Sequence, residues 1–376
     1  MNEEFIPAHG GQLRELAAEF GVSETSLLDF SASIDPQPPS DHLIATVCEA
    51  LHAHTILTTY PDMHYTALKE AIAAYVQVDV KALSINSGVM PLLGAALSAF
   101  CPRRCLVPVP AFAEYRKVLG SCGVACCTFP STEDAGFLLE VAPLVDSLKK
   151  SGAEALLLAN PQSPSGRLMC REDLLRLHEA VTALGAILIV DEAFIDYTPE
   201  NSVSHWAAGL PGLIVLRSLT KFFALPGLRV AYAVSCPEMR AVIESCIPAW
   251  PVGSIAAEAA RMVLQDRVSI AHTAATNAAE RIWLAEQLHA LGLRVFPGAA
   301  NYLLIRIADS LDGLEFWRRL IVEHNIVLRS CANFEGLGEH YFRIGVRTRL
   351  QSDLLVRALK NVLYPAAQGI ASQNQE

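Results

Sequence analysis

A chain of 376 residues with 52% hydrophobic and 18% charged residues has the balance of a folded protein, with room for about two domains, and not of a disordered one. Its net charge of -10 argues against a nucleic-acid surface while leaving space for small anionic ligands in local basic pockets. Ten cysteines without a CxxC pair point to neither a metal site nor a disulfide framework, so reduced thiols in a cytoplasmic protein are expected. The acidic start Met1-Asn2-Glu3-Glu4-Phe5 lacks the apolar stretch of a signal peptide, and no apolar run reaches membrane-spanning length.

Taken in order, His9-Gly10-Gly11 precedes a short amphipathic helix predicted over 12–20, closed by Gly21 as a C-cap. Asp29-Phe30-Ser31-Ala32-Ser33-Ile34-Asp35-Pro36 reads as an extended, turn-rich passage. Helices are predicted over 41–54 and 65–76, separated by Tyr60-Pro61-Asp62, where the proline keeps Tyr60 extended.

From residue 82 short apolar runs alternate with helical stretches. A strand over 83–85 runs into Asn86-Ser87-Gly88-Val89 and a helix to Phe100. Such a turn leaves backbone N–H groups free to cradle a phosphate, although most Asn-Ser-Gly turns only cap helices. A strand over 105–107 delivers Phe112, with Tyr115 read as a helix-face residue. Strands over 155–159, 187–190 and 213–216 deliver Asn160, Asp191 with Tyr197, and Ser218 with Lys221. Asn160, Asp191 and Lys221 are about 30 residues apart, close to one βα repeat, and each lies just past a strand's carboxyl end, where open α/β sheets bind ligands.

The segment around Lys221 concentrates the chemistry. A lysine among Phe222, Phe223 and Leu225 loses its proton easily and can attack a carbonyl, while Ser218, Thr220 and Arg229 suit a phosphate. A lone lysine in a loop is ordinarily just solvated, but the upstream asparagine and aspartate make that reading a poor one. Beyond residue 250 helices are predicted over 254–264, 267–291, 314–324 and 350–363. A strand is predicted at 300–305, strand-and-loop segments at 327–334 and 341–345 carry Arg329 and Arg343, and a polar tail follows over 365–376.

Arg217 to Arg229, with Tyr60, Asn160, Asp191, Tyr197 and Arg343, resembles the signature of the fold-type-I aminotransferases, nearly along the whole chain. The resemblance implies an α/β fold with a mostly parallel seven-stranded sheet in a large domain plus a smaller α/β domain. The expected division is an N-terminal arm with part of the small domain over 1–45, a large cofactor-binding domain over 46–265 and the small domain over 266–376. It further implies pyridoxal 5′-phosphate as cofactor and a homodimer in which Tyr60 crosses to the partner's cofactor phosphate. Within one subunit Ser87, Gly88, Val89, Ser218 and Arg229 would hold that phosphate. Phe112 would stack on the ring, Asp191 would pair with the ring nitrogen, and Asn160 and Tyr197 would reach the ring oxygen. Lys221 and Asp191 would be the catalytic pair. In the asparagine loop Ser163 replaces the usual second asparagine, a turn position.

The His-Gly-Gly opening and Arg329-Ser330-Cys331-Ala332-Asn333-Phe334 resemble threonine-phosphate decarboxylases of the cobalamin pathway more than their cousins, the histidinol-phosphate aminotransferases. That resemblance implies a small anionic amino acid held by His9, Ile34, Asn160, Arg329 and Arg343, with Ser31 and Ser33 nearby. Decarboxylation is the expected reaction and transamination the alternative. An intact Lys221, Asp191 and Asn160 set speaks against a non-catalytic descendant of the fold.

Overall fold

The computed structural model describes residues 6–52 and 54–365; the acidic first residues and nearly all of the expected polar tail lie outside them. Thirteen strands occur among the described residues. A two-residue strand, β1 (Leu28–Asp29), comes first. Seven strands then make the main sheet: β2 (Leu83–Asn86), β3 (Arg104–Val109), β4 (Ala125–Pro130), β5 (Ala155–Ala159), β6 (Ile187–Asp191), β7 (Leu213–Ser218) and β8 (Ala231–Val234). Their spatial order is β2-β8-β7-β6-β5-β3-β4, with β8 antiparallel to both neighbours and the pairings from β7 to β4 parallel. The fold is therefore the expected mixed α/β architecture with a mostly parallel seven-stranded sheet.

The composition of the central strands explains their place. Ala-Leu-Leu-Leu-Ala in β5 and Ile-Leu-Ile-Val-Asp in β6 are apolar at nearly every position, as strands covered on both faces must be. Leu156, Leu158, Leu188, Val190, Leu213 and Val215 pack into one core. Their alternating neighbours Leu157, Ile189, Ile214 and Leu216 pack into another on the opposite side. Polar residues enter only where these runs end, and Asn160, Asp191 and Ser218 therefore gather at one rim of the sheet.

A second, antiparallel sheet is built from β9 (Arg294–Phe296), β10 (Tyr302–Arg306), β12 (Arg329–Ser330) and β13 (Tyr341–Gly345), in the order β12-β13-β10-β9. Helices Arg267–Ala290, Gly313–His324 and Arg349–Leu363 cover one face through Leu284, Leu288, Trp317, Leu320, Leu355 and Leu359. Its other face carries Leu304, Phe296 and Cys331, packed with Phe137 from the loop after β4. Leu28 and Asp29 of β1 pair in parallel with β11 (Ile326–Val327), so the amino-terminal arm is anchored beside this second sheet.

Candidate active site

A cavity of about 660 Å³ lies between the carboxyl rim of the main sheet and the face of the second one that carries Arg329 and Arg343. His9, Ile34, Val89, Phe112, Asp191, Ser218, Lys221, Arg229, Arg329 and Arg343, all singled out in the sequence, line it together.

The floor comes from strand ends. Asp191 closes β6 and is buried; its Oδ2 accepts a hydrogen bond from Tyr115 Oη at 2.6 Å and its Oδ1 one from the Ala193 amide at 2.9 Å. Burial raises its pKa above the ordinary carboxylate value, while the Tyr115 and Ala193 bonds and the Lys221 charge oppose that rise. Lys221 follows β7, and its pKa falls to about 8 because of burial first, then the positive charges of Arg343 and Arg229. The amine thus becomes neutral at a lower pH than a free lysine does.

One end of the cavity is an anion cradle. Ser218 Oγ and Thr220 Oγ1 lie 2.8 Å apart, and Arg229 turns its guanidinium toward Gly88. Gly88 has φ 125°, and a Cβ there would stand 3.0 Å from Arg229 Nη2, so glycine keeps the approach open. Gly88 also caps helix Val89–Phe100, whose first amides have no partners within the helix. Arg229 itself adopts a left-handed backbone, φ 55°, which a long side chain takes only when its surroundings enforce it.

The roof comes from the second sheet and the amino-terminal arm. Arg329 on β12 and Arg343 on β13 are direct cross-strand partners, two like charges where neighbouring strands ordinarily avoid them. Arg329 is buried, and burial lowers its pKa to about 10, with Arg343 adding to the fall. Arg343 donates to Ser163 Oγ at 3.1 Å and to the Ser31 carbonyl at 3.2 Å, and its buried Nε has no partner. The two arm segments are locked together. Gly11 N donates to Ser31 Oγ at 2.9 Å, and a Cβ on Gly10 would collide with the Ser31 carbonyl oxygen at 2.2 Å. His9 Nε2 lies 2.9 Å from Glu114 Oε1, with its ring 5.8 Å from that of Phe112.

Several expectations are corrected. Tyr197 does not reach the cavity: the 3-10 turn Ile195–Tyr197 carries it past, and its hydroxyl donates to Asp35 Oδ2 at 3.4 Å. Phe194, three residues beyond Asp191, takes the lining position and brings no hydroxyl. Tyr115 is no mere helix-face residue, since helix Glu114–Ser121 turns it inward onto Asp191. Asn160 Oδ1 accepts from the Met169 amide at 2.8 Å and its Nδ2 donates to the Met169 carbonyl at 3.1 Å, so the side chain is turned to the Met169 backbone and is not among the residues lining the cavity. Arg329 is already engaged, donating to the carbonyls of Pro7 at 3.1 Å and Ala8 at 2.8 Å and to Asn333 Oδ1 at 2.8 Å. Ser87 sits behind the cavity wall, its amide on Asn86 Oδ1 at 2.8 Å. Tyr60 lies outside this chain's own cavity, 78% exposed and stacked on Trp250 at 4.4 Å.

The profile describing aminotransferase class I and II matches residues 25–360. Threonine-phosphate decarboxylase of Salmonella typhimurium is 35% identical over 370 residues, covering 96% of this chain and 97% of that protein. Among solved structures, L-threonine-O-3-phosphate decarboxylase from Porphyromonas gingivalis is 25% identical with a TM-score of 0.77, over 89% of this chain and 98% of its own. Histidinol-phosphate aminotransferase from Clostridium acetobutylicum is 27% identical with a TM-score of 0.82, over 90% and 99%.

Proposed function

The chain belongs to the aminotransferase class I and II family, and from that premise we propose that it decarboxylates L-threonine O-3-phosphate to (R)-1-amino-2-propanol phosphate, a step of cobalamin assembly. It is an enzyme of the pyridoxal-phosphate class, and its cofactor is pyridoxal 5′-phosphate. The donor set fits that group: hydroxyls, a guanidinium and a helix amino terminus for the phosphate, a buried carboxylate for the ring nitrogen, and an amine of depressed pKa for the carbonyl.

Ser218, Thr220, Arg229 and the Gly88–Val89 amides would hold the phosphate, Phe112 would cover the ring, and Asn160 would approach it from the side. When bound, the cofactor supplies an electron sink for the bond broken at the substrate Cα. Asp191 would hold the proton on the ring nitrogen, and the Tyr115 bond opposes the rise in pKa that burial imposes on that carboxylate. Arg343 takes the substrate carboxylate, and Arg329 with His9 takes the substrate phosphate. Once carbon dioxide leaves, Lys221 delivers a proton to Cα.

The observation that carries this reading is the cross-strand pair Arg329–Arg343. Two adjacent guanidiniums without a carboxylate between them suit a substrate with two anionic groups. Histidinol phosphate offers a phosphate and no carboxylate. We further propose a homodimer in which Tyr60, held on Trp250, reaches the partner's cofactor phosphate.

The test is direct. Supplied with L-threonine O-3-phosphate and no 2-oxoacid, the enzyme should release one carbon dioxide per substrate. Conversion of histidinol phosphate that requires a 2-oxoacid, with no carbon dioxide from threonine phosphate, would move the assignment to the aminotransferase branch.

A further inference from the structure

Residues 29–35 run along the cavity with strand partners only as far as Phe30, whose amide donates to the Val327 carbonyl, yet the carbonyl groups of the segment are not left bare. Arg347, just past β13, donates from Nε to the Asp29 carbonyl at 2.7 Å. It donates also from Nη2 to the Ala32 carbonyl at 3.0 Å and from Nη1 to the Ile34 carbonyl at 3.2 Å. Its side chain is only 12% exposed, and the nearest carboxylate oxygen, Asp29 Oδ2, stands 4.0 Å away. A buried guanidinium spent on three carbonyls of one short segment is acting as that segment's missing strand.

The neighbours make the same point. Gly345 N donates to the Phe30 carbonyl at 2.7 Å, and Arg343 donates to the Ser31 carbonyl. At the far end Asp35 N donates to the carbonyl of Lys221 at 3.0 Å. The segment thus runs from the second sheet to the reactive lysine, and between those anchors it presents Ser33 and Ile34 to the cavity.

We propose that Arg347 is a positioning residue for substrate: by fixing the carbonyls of Asp29, Ala32 and Ile34 it holds the roof segment in place, and through Ser31 it aims Arg343. The proposal rests on the cavity being the active site, as read above. Arg347 itself lies outside the cavity lining, so its removal should spare the cofactor and loosen the grip on substrate.

The test compares the holoenzymes of wild type, R347M and R347K. R347M keeps the aliphatic bulk and loses every donor; R347K restores one charged donor without the fork. In R347M, KM for threonine phosphate should rise about tenfold or more, from loss of preorganisation, with kcat within about threefold. Amide hydrogen exchange across residues 28–36, measured without substrate, should quicken at least tenfold, while the borohydride-reducible linkage at Lys221 persists. R347K should fall between the two in both readouts. An unchanged KM with native-like exchange would overturn the proposal, and so would loss of the cofactor linkage with native-like exchange across residues 28–36. If R347M does not accumulate, R347Q carries the same comparison. Because the exchange readout needs no substrate, it decides the role of Arg347 even if threonine phosphate proves not to be the substrate. Absence of carbon dioxide from the wild type bears only on the functional reading.

Discussion

The floor and the roof of the cavity are held by different physics. On the floor, Asp191 and Ser218 are the last residues of β6 and β7, whose preceding side chains are almost wholly buried, so sheet hydrogen bonds and core packing place them. Beneath them Arg217 is paired with Glu192 and Asp196 in full burial, and Tyr75 Oη donates to Asp196 at 2.7 Å. The roof is instead an assembly of guanidiniums on carbonyl oxygens: Arg329 on Pro7 and Ala8, Arg343 on Ser31, Arg347 on Asp29, Ala32 and Ile34. Carbonyl partners satisfy donors without neutralising charge. The guanidinium beneath the floor is thus matched by two carboxylates, whereas Arg329 and Arg343 retain the positive potential that an anionic substrate would use.

That contrast is easiest to break at its centre. Lys221→Ala should abolish the borohydride-reducible cofactor linkage altogether; a pyridoxyl label recovered on another lysine would remove the floor's assignment. Arg217→Met should follow in size, because Glu192 and Asp196 would stay buried without their counter-ion, a cost of about 3–5 kcal/mol. Urea or thermal denaturation would register it, and an unshifted midpoint would mean the floor does not depend on this pair.

On the roof, Arg329→Ala should leave cofactor loading intact. It should lower kcat/KM for threonine phosphate by about one to two orders of magnitude, from the loss of a charge-assisted contact. Threonine itself has no phosphate to lose, so its turnover should change much less; equal losses with both would dissociate Arg329 from the phosphate. The smallest expected effect belongs to Tyr115→Phe, about tenfold in kcat/KM from one hydrogen bond to a charged group. The sign of its pH effect is fixed, since the tyrosine bond opposes the burial-raised pKa of Asp191. Removing it lets that pKa climb further, so the acid limb of the kcat/KM profile should move to higher pH.

How much of this was legible in the sequence differs between the two regions. Apolar runs buried on both faces announce parallel strands, and the first polar residue after each run falls at the carboxyl rim. Asn160, Asp191, Ser218 and Lys221 could therefore be grouped before any coordinates. Tyr197 shows where that reasoning stops. Two aromatic residues follow Asp191 within six positions, and only the 3-10 geometry decides that Phe194 faces the cavity while Tyr197 goes to Asp35.

The sequence by itself determined five of the sheet's strands and the polar residues at their carboxyl ends, because burial on both faces writes apolar runs that neighbouring residues carry locally. The tertiary structure alone decided that Tyr115 turns onto Asp191, that Arg329 stands opposite Arg343, and that Arg347 replaces a missing strand for residues 29–34. Those contacts join segments far apart in the chain, and a guanidinium reaching a distant carbonyl leaves no periodic trace in the residues around it.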